Sequence, residues 1–465
     1  MTAFRFGIAA HALLAVYLVG LLTLPRAPST LAALVCLTAL AASAGRWTQA
    51  VRDALPALAV FVVPAIAYCL LVLLQIAAGL ASPRLGSHLL IVLLALAVGL
   101  SGVPGHWPDV RRWLLPAAAV GAVGACAIAV YQARVLDMPR PQGWLGGNPL
   151  GTGAIKFGDL AAVLGLLSFV LVLSAQDRVR RMTGLLGLGC GMATLALTQA
   201  RGGMLGVLLA LAALGGALAL RRPGPRPSPA PAPAIGRQVR LPASSGGVPV
   251  GPAGSVAPSV DPAARLAGGR RTALAMVGVA LLVSVASAAF MQKRFAEIEP
   301  QVQRFLQGDA ASETGQRLAL WQAAVRAGLH APVTGTGFDR FGAELDRQVA
   351  TGAIPSTMKI LYRQPHNEYL AAFAAAGFAG LAVTLLLFFG PPVALICRIV
   401  RGRDSPAARA ALVTSTAFAG FALTDAMFDR QITIIAFHLL TAWLLAAAAG
   451  VPPDAQPASA PESAA

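Results

Sequence analysis

Apolar residues dominate the chain in long runs that recur at short intervals. A helix that crosses a bilayer needs roughly 20 such residues. Runs of this kind lie at 8–24, 29–44, 54–80, 88–103, 112–133, 157–175, 182–199, 203–220, 272–291, 367–389, 407–425 and 431–449. The stretch from 182 to 220 is too long for one crossing, and its centre reads "TQARGG". An arginine in the middle of a span costs about 2.5–3.5 kcal/mol or more. The hexapeptide is therefore expected to be a hairpin between two spans. The pattern predicts an all-α polytopic membrane protein of about twelve transmembrane helices, with both termini on one side.

Three segments break the pattern. Residues 221–271 separate spans one to eight (1–220) from the ninth span (272–291). They are rich in Pro, Ala, Gly and Ser with one acid, Asp261, and read as a flexible linker. Residues 292–366 differ. In "ETGQRLALWQAAVRAG" apolar side chains fall at helical spacing among charges of both signs. This predicts an ordered, partly helical loop domain ahead of the last three spans (367–450). The tail, 451–465, is Pro/Ala/Ser-rich and expected to be disordered.

Composition agrees with a membrane protein. Of the 465 residues, 57% are hydrophobic and 12% charged, with mean hydropathy +0.69. Soluble domains are about 45–50% apolar and about 25% charged. Apolar spans begin at once, so no cleavable signal peptide is expected. The five cysteines fall in or beside apolar runs, which argues against disulfides and a cysteine metal site. The net charge of +17 resembles a nucleic-acid signal, but most of it is loop arginine. With the N-terminus in the cytoplasm, the inner connections include "GRWTQAVRDA", "DVRR", "QDRVRR", "RRPGPRP" and "CRIVRGRDSPAAR". The outer ones are "PRAP", "SPRLG", "ARGG" and "FDRQ", which carry far less. That asymmetry satisfies the positive-inside rule. The linker is then cytoplasmic and the loop domain is outside.

Three polar clusters fall on the outer face. In "QARGGM", Arg201 lies on the hairpin and Gly202 and Gly203 open the next helix. A helix N-terminus with bare amides binds anions, and a neighbouring guanidinium adds a bidentate phosphate donor. An interfacial arginine also contacts lipid head groups, so the cluster alone leaves both readings open. The second cluster holds Arg317, near the start of a helix expected from about Thr314. A cation there opposes the helix dipole, which asks for a partner; Glu313, four residues back, is the plain one. In the third, "RQPHNEYL", Asn367 suits an N-cap for the span that follows. The positive end of that helix disfavours imidazolium, so His366 is expected to stay neutral and able to accept a proton. Glu368 in the first turn could orient it. The plainer alternative is a histidine that only caps a helix. His330 admits the same plain reading, and His11 and His438 fall inside spans, where packing explains them.

Metal chemistry is poorly supported. The sequence has no Asp-x-Asp and no H-E-x-x-H, and two outer arginines can neutralise a pyrophosphate in place of a divalent cation.

The ordered set "TQARGG", "ETGQRLALWQAA", "GTGFDRF" and "PHNEYL" resembles the O-antigen ligase/polymerase family of bacterial membrane glycosyltransferases, its ligase branch in particular. The resemblance spans about 140–390, and "GGNPLGTGAIKFGDL" is similar to the family's outer loop before a span. The linker is longer and more Pro-rich than the family pattern. The resemblance implies a GT-C-like fold and an inner-membrane enzyme with a periplasmic site. It would transfer a glycan from undecaprenyl diphosphate to a sugar hydroxyl of lipid A–core, inverting and without cofactor or metal. His366 matches the family's essential histidine, and Arg201 and Arg317 match arginines that engage the diphosphate. Arg140, Lys156, Arg363, Asn367 and Glu368 are secondary candidates for contacts with diphosphate or glycan. A polymerase or a protein-glycosylating ligase would share the donor and similar motifs. A transporter of lipid-linked sugars is the alternative of another class, although the break after span eight lacks the six-and-six symmetry common there.

Overall fold

The computed structural model describes residues 2–24, 27–106, 110–145, 152–222, 292, 296–354 and 363–450. The ninth predicted span, nearly all of the linker and the tail lie outside the described residues.

The described residues fold into helices and turns, with no strand among them. In chain order the helices are α1 (Thr2–Gly20), α2 (Ala27–Ser43), α3 (Trp47–Ala77), α4 (Gly86–Leu100), the short α5 (Val103–His106), α6 (Leu114–Arg134), α7 (Thr152–Ser174), α8 (Arg178–Thr198) and α9 (Arg201–Ala219). After the linker follow α10 (Ile298–Leu306), α11 (Glu313–His330), α12 (Phe341–Ala350), α13 (Glu368–Val400), α14 (Pro406–Phe421) and α15 (Gln431–Ala449). Among the described residues, seven helical segments are long and apolar enough to cross a membrane. The chain is an all-α polytopic membrane protein. Every predicted span within the described residues coincides with a helix.

Two boundaries differ from the sequence pattern. Helix α3 starts at Trp47, so most of "GRWTQAVRDA" is helical rather than a loop. The Gln49 amide donates to both oxygens of Asp53 one turn on, at 2.9 and 3.0 Å, which supports the polar first turns. Helix α13 runs to Val400 rather than 389 and is broken at Ala376–Gly377. Gly377 has φ +60° and ψ −150°, a conformation that essentially only glycine adopts.

The break is stitched by distant segments. It releases the carbonyls of Ala374 and Ala375 from the helix ladder. Thr336 N–H donates to Ala374 O (2.8 Å), and Gly337 N–H and the Gln75 amide both donate to Ala375 O (2.9 and 2.8 Å). Gln75, at the end of α3, also accepts from Phe338 N–H at 2.8 Å. "GTGFDRF" is thus the loop that docks into the break. A Cβ on Gly335 would lie 2.2 Å from the Ala375 backbone, so glycine is needed for this approach.

Helix α7 is the buried centre, packed against α6, α8, α9 and α14. A second knot joins α13, α14 and α15 to the turn between the last two. The rings of Phe388 and Phe437 stack at 4.6 Å, and Phe428 stacks on Phe388 at 5.4 Å. Helices α10 to α12 enclose a small core of their own, with Ala319, Leu320, Ala323 and Leu345 fully buried.

Candidate active site

The candidate site is built on the turn between α14 and α15, residues 422–430. The triplet His366-Asn367-Glu368 meets it at successive points. Asn367 caps α13: its Oδ1 accepts from Leu370 N–H (3.0 Å), while its Nδ2 donates to Leu423 O (2.9 Å). Glu368 N–H donates to Ala422 O (2.8 Å), and the Glu368 carboxylate accepts from Phe428 N–H (3.0 Å). His366 Nδ1 lies 3.0 Å from Asp425 Oδ1. The histidine backbone is held at φ +51°, a left-handed conformation uncommon for a non-glycine residue. The cap on one side and the turn on the other enforce it.

Asp425 continues inward. Its Oδ2 is 2.9 Å from the Lys156 ammonium, which is also 3.0 Å from Asp429 Oδ1 and donates to Ala426 O. Lys156 and Asp425 are each only 1% exposed. The Gln364 amide donates to the other oxygen of Asp429 at 2.9 Å. A lysine from α7 therefore ties down both carboxylates of the turn, and one of them orients the histidine. With Nδ1–H given to Asp425, the ring's remaining lone pair is on Nε2. The arrangement is an imidazole, an acid bonded to it and a cation behind the acid.

Arg317 and the start of α9 both abut Thr424. Arg317, in the first turns of α11, donates from Nη1 to Thr424 O at 2.9 Å. Glu313, the partner expected from spacing, stands 3.8 Å from Nη2 and is the looser contact. Arg201 is the first residue of α9, whose N-terminus abuts the same turn: a Cβ on Gly202 would lie 1.8 Å from Thr424 Oγ1. The hairpin before it is tight. Gln199 adopts φ +54°, and Arg140 Nε donates to Thr198 O (3.1 Å), which braces the end of α8.

The other sequence candidates have other surroundings. Lys156, a candidate for phosphate contact, is buried against two carboxylates. Arg363 pairs with Asp346 of α12 at 2.7 Å at an exposed position. His330 is exposed, and His438 is buried with Nδ1 on Ile434 O.

Sequence reasoning missed Asp425, Asp429, Thr424 and Asp159. Asp159 is 1% exposed on α7, and its carboxylate lies against Gly203, where a Cβ would be 2.6 Å from Oδ1. A signal for the acids existed. "TDAMFDRQ" places two carboxylates at the rim of the last spans in an acid-poor chain, and ionisable groups at membrane depth are expensive without a purpose. Among the described residues, no group of three or more His, Cys, Asp or Glu side chains is arranged to hold a metal ion.

Fold and site define a class: a polytopic helical membrane protein with a buried polar cluster at the rim of its bundle. A comparison with protein families matches part of the chain. Residues 186–385 match the family described as O-antigen ligase, which shows the resemblance carried by the motifs. The matched segment contains Arg201, Arg317 and His366. The family implies a glycosyltransferase-like ligase that works on lipid-linked glycans in a membrane. No curated protein matches the chain.

Proposed function

We propose that the protein is an O-antigen ligase of the bacterial inner membrane, working at the periplasmic face. It transfers a glycan from undecaprenyl diphosphate to a sugar hydroxyl of lipid A–core. The observation that carries this reading is the meeting of three sequence-distant motifs on one turn. The His366–Asp425 pair, Arg317 and the Arg201 helix start all abut residues 422–430.

His366 Nε2 takes the proton of the acceptor hydroxyl as its oxygen attacks the anomeric carbon. The new carbon–oxygen bond forms on the face opposite the departing phosphate oxygen, so configuration inverts. The electron pair of the broken bond leaves with the diphosphate. Asp425 holds the imidazole in the tautomer that accepts at Nε2 and stabilises the imidazolium that forms, and Lys156 holds Asp425. A positioned general base contributes roughly 10²–10⁴-fold.

Arg201, Arg317 and the amides at the start of α9 stabilise the charge gathering on the leaving diphosphate. Fixed guanidiniums need no divalent ion, so the enzyme is metal-independent. Both termini and the linker are cytoplasmic in this topology.

The test uses the full-length protein in lipid nanodiscs with undecaprenyl-diphosphate-linked glycan and lipid A–core, with and without EDTA. Expected are ligated lipid A–core and released undecaprenyl diphosphate in equal amounts, unaffected by EDTA. Elongation of the donor glycan without use of lipid A–core would instead make it a polymerase. Product only on a protein acceptor would make it a protein-glycosylating ligase. Donor moved across a bilayer intact would make it a transporter.

A further inference from the structure

Helix α11 carries Arg317, but most of its surface is not used by the site. One face packs inward through Ala319, Ala323, Ala324 and Ala327, all fully buried. A second edge is polar and exposed: Gln322, Arg326 and His330. Between them runs an apolar stripe, Leu318, Trp321, Val325 and Leu329, at the i, i+3, i+7, i+11 spacing of one helix face. Leu318 and Trp321 are half-buried, Leu329 is 60% exposed and Val333, just past the helix, is 81% exposed.

The stripe does not end with the helix. Phe378 N–H donates to Pro332 O at 2.9 Å. The Phe378 ring lies 5.0 Å from that of Phe373, which packs on α11 where Gly328 lacks a Cβ. Phe378 is itself exposed and begins the open apolar face of α13 that continues through Leu386, Phe389 and Val393. That helix is long and apolar enough to cross a membrane. The stripe of α11 is thus a direct extension of a transmembrane surface. From Leu318 to Leu329 it runs about 17 Å at 1.5 Å per residue, and Val333 extends it past the helix end. A water-borne domain rarely exposes so long an apolar surface. Tryptophan on such a stripe suits the level where acyl chains meet head groups.

We infer that α11 is an interfacial helix, seated in the outer leaflet with the stripe from Leu318 to Val333 against lipid acyl chains. The sequence pattern alone places it in an ordered, partly helical outer loop domain. The polar edge of Gln322, Arg326 and His330 faces water, and the alanine face covers the protein. This seating rests on the membrane fold and not on the proposed reaction. Combined with that reaction, it has a consequence. Arg317 stands at the edge of the stripe, so its guanidinium is held at head-group depth. A diphosphate on a lipid tail then reaches it without leaving the membrane.

The test is depth-sensitive spin labelling of the full chain in nanodiscs. Nitroxides are placed one at a time through a genetically encoded keto amino acid, so the native cysteines remain. Positions 325, 329 and 333 report the stripe, 322 and 326 the polar edge, and 386 the reference lipid face. The inference expects 325, 329 and 333 to collide with oxygen as 386 does and to be shielded from a water-soluble nickel chelate. Positions 322 and 326 should show the reverse. Nickel access at 325, 329 and 333 would overturn the seating, because it places the stripe in water. Shielding of all three from both probes would overturn it too, because another protein segment, such as 272–291 or a second copy of the chain, then covers the stripe. Neither outcome depends on catalysis, so the reaction assigned above can stand or fall separately.

Discussion

Two helix starts border the site, and they are built in opposite ways. Helix α13 begins with its start bonded on three sides: Asn367 caps it, Glu368 N–H is bonded to Ala422 O, and Asn367 Nδ2 reaches Leu423 O. Helix α9 begins at Ala200, which offers no side-chain cap, and its first ladder bond is Met204 N–H to Ala200 O. The amides of residues 201–203 precede that ladder, and two of those residues are glycine. The first start is a bracket for a side chain, where bonds fix His366 against Asp425. The second is suited to an anion, where a capping side chain would compete with the ligand. If the proposed function is correct, substitutions at the two starts should fail in different ways.

The largest effect is expected at the bracketed histidine. His366→Ala should lower transfer roughly 10²–10⁴-fold if the residue acts as general base. The protein should still insert and bind donor, because the capping bonds belong to Asn367 and Glu368. Near-normal transfer by a well-expressed variant would remove His366 from the mechanism.

Lys156→Met should cost stability as well as activity. It strands the buried carboxylate of Asp425 and the half-buried one of Asp429 beside an apolar side chain. Breaking a buried pair by removing one partner costs about 3–5 kcal/mol. Thermal unfolding in detergent should show a clear drop. Lys156→Arg should recover part of it, whereas a direct phosphate contact by Lys156 would show as a raised KM without a stability loss.

At the anion-binding side, Arg201→Lys and Arg317→Lys should each impair transfer although charge is kept. A lysine offers a point charge where a guanidinium offers a planar fork. The double variant should lose less than the product of the single losses, because groups that serve one ligand couple. Strict multiplicativity would separate the two arginines.

The sequence made the two starts legible but not what faces them. Capping preference and the helix dipole are local rules, so Asn367, the tight hairpin before Arg201 and a helix starting near Thr314 could be read from a few residues. The partner of His366 lies 59 residues on, across a turn, and no local rule reaches that far. From the sequence Lys156 reads as a phosphate contact, because its two carboxylates are tertiary neighbours. The break in α13 was hidden for a similar reason. The apolar run passes through it unchanged, and the groups that satisfy its released carbonyls come from Gln75 and the 335–338 loop. Apolar length predicted helices well. It also kept α11 apart from the spans, because charge interrupts its apolar stripe, but it could not show that the stripe continues a face of α13.

A milder pair of substitutions would sharpen the contrast. Asn367→Ala removes the α13 cap and should cost about 1 kcal/mol of stability. It should also lower kcat more than it raises KM, because it loosens the peptide that presents His366.

The smallest change is the most discriminating. Ala200→Ser supplies the side-chain cap that α9 lacks, and a serine cap in place of alanine stabilises a helix by about 0.5–2 kcal/mol. The protein should therefore become slightly more stable to heat, the opposite sign to Asn367→Ala. Its hydroxyl would accept from the amide of Gly202 or Gly203, which the leaving diphosphate is proposed to use. Donor KM should rise while the acceptor KM stays constant. Ala200 is buried, but the added oxygen is small and directed along the helix start. A gain in stability with unchanged donor KM would show that the amides of α9 do not contact the diphosphate, leaving the arginines to hold it alone. A loss of stability would mean that the hydroxyl cannot reach the amides, and Ala200→Gly, which adds no cap, should then leave donor KM at its original value.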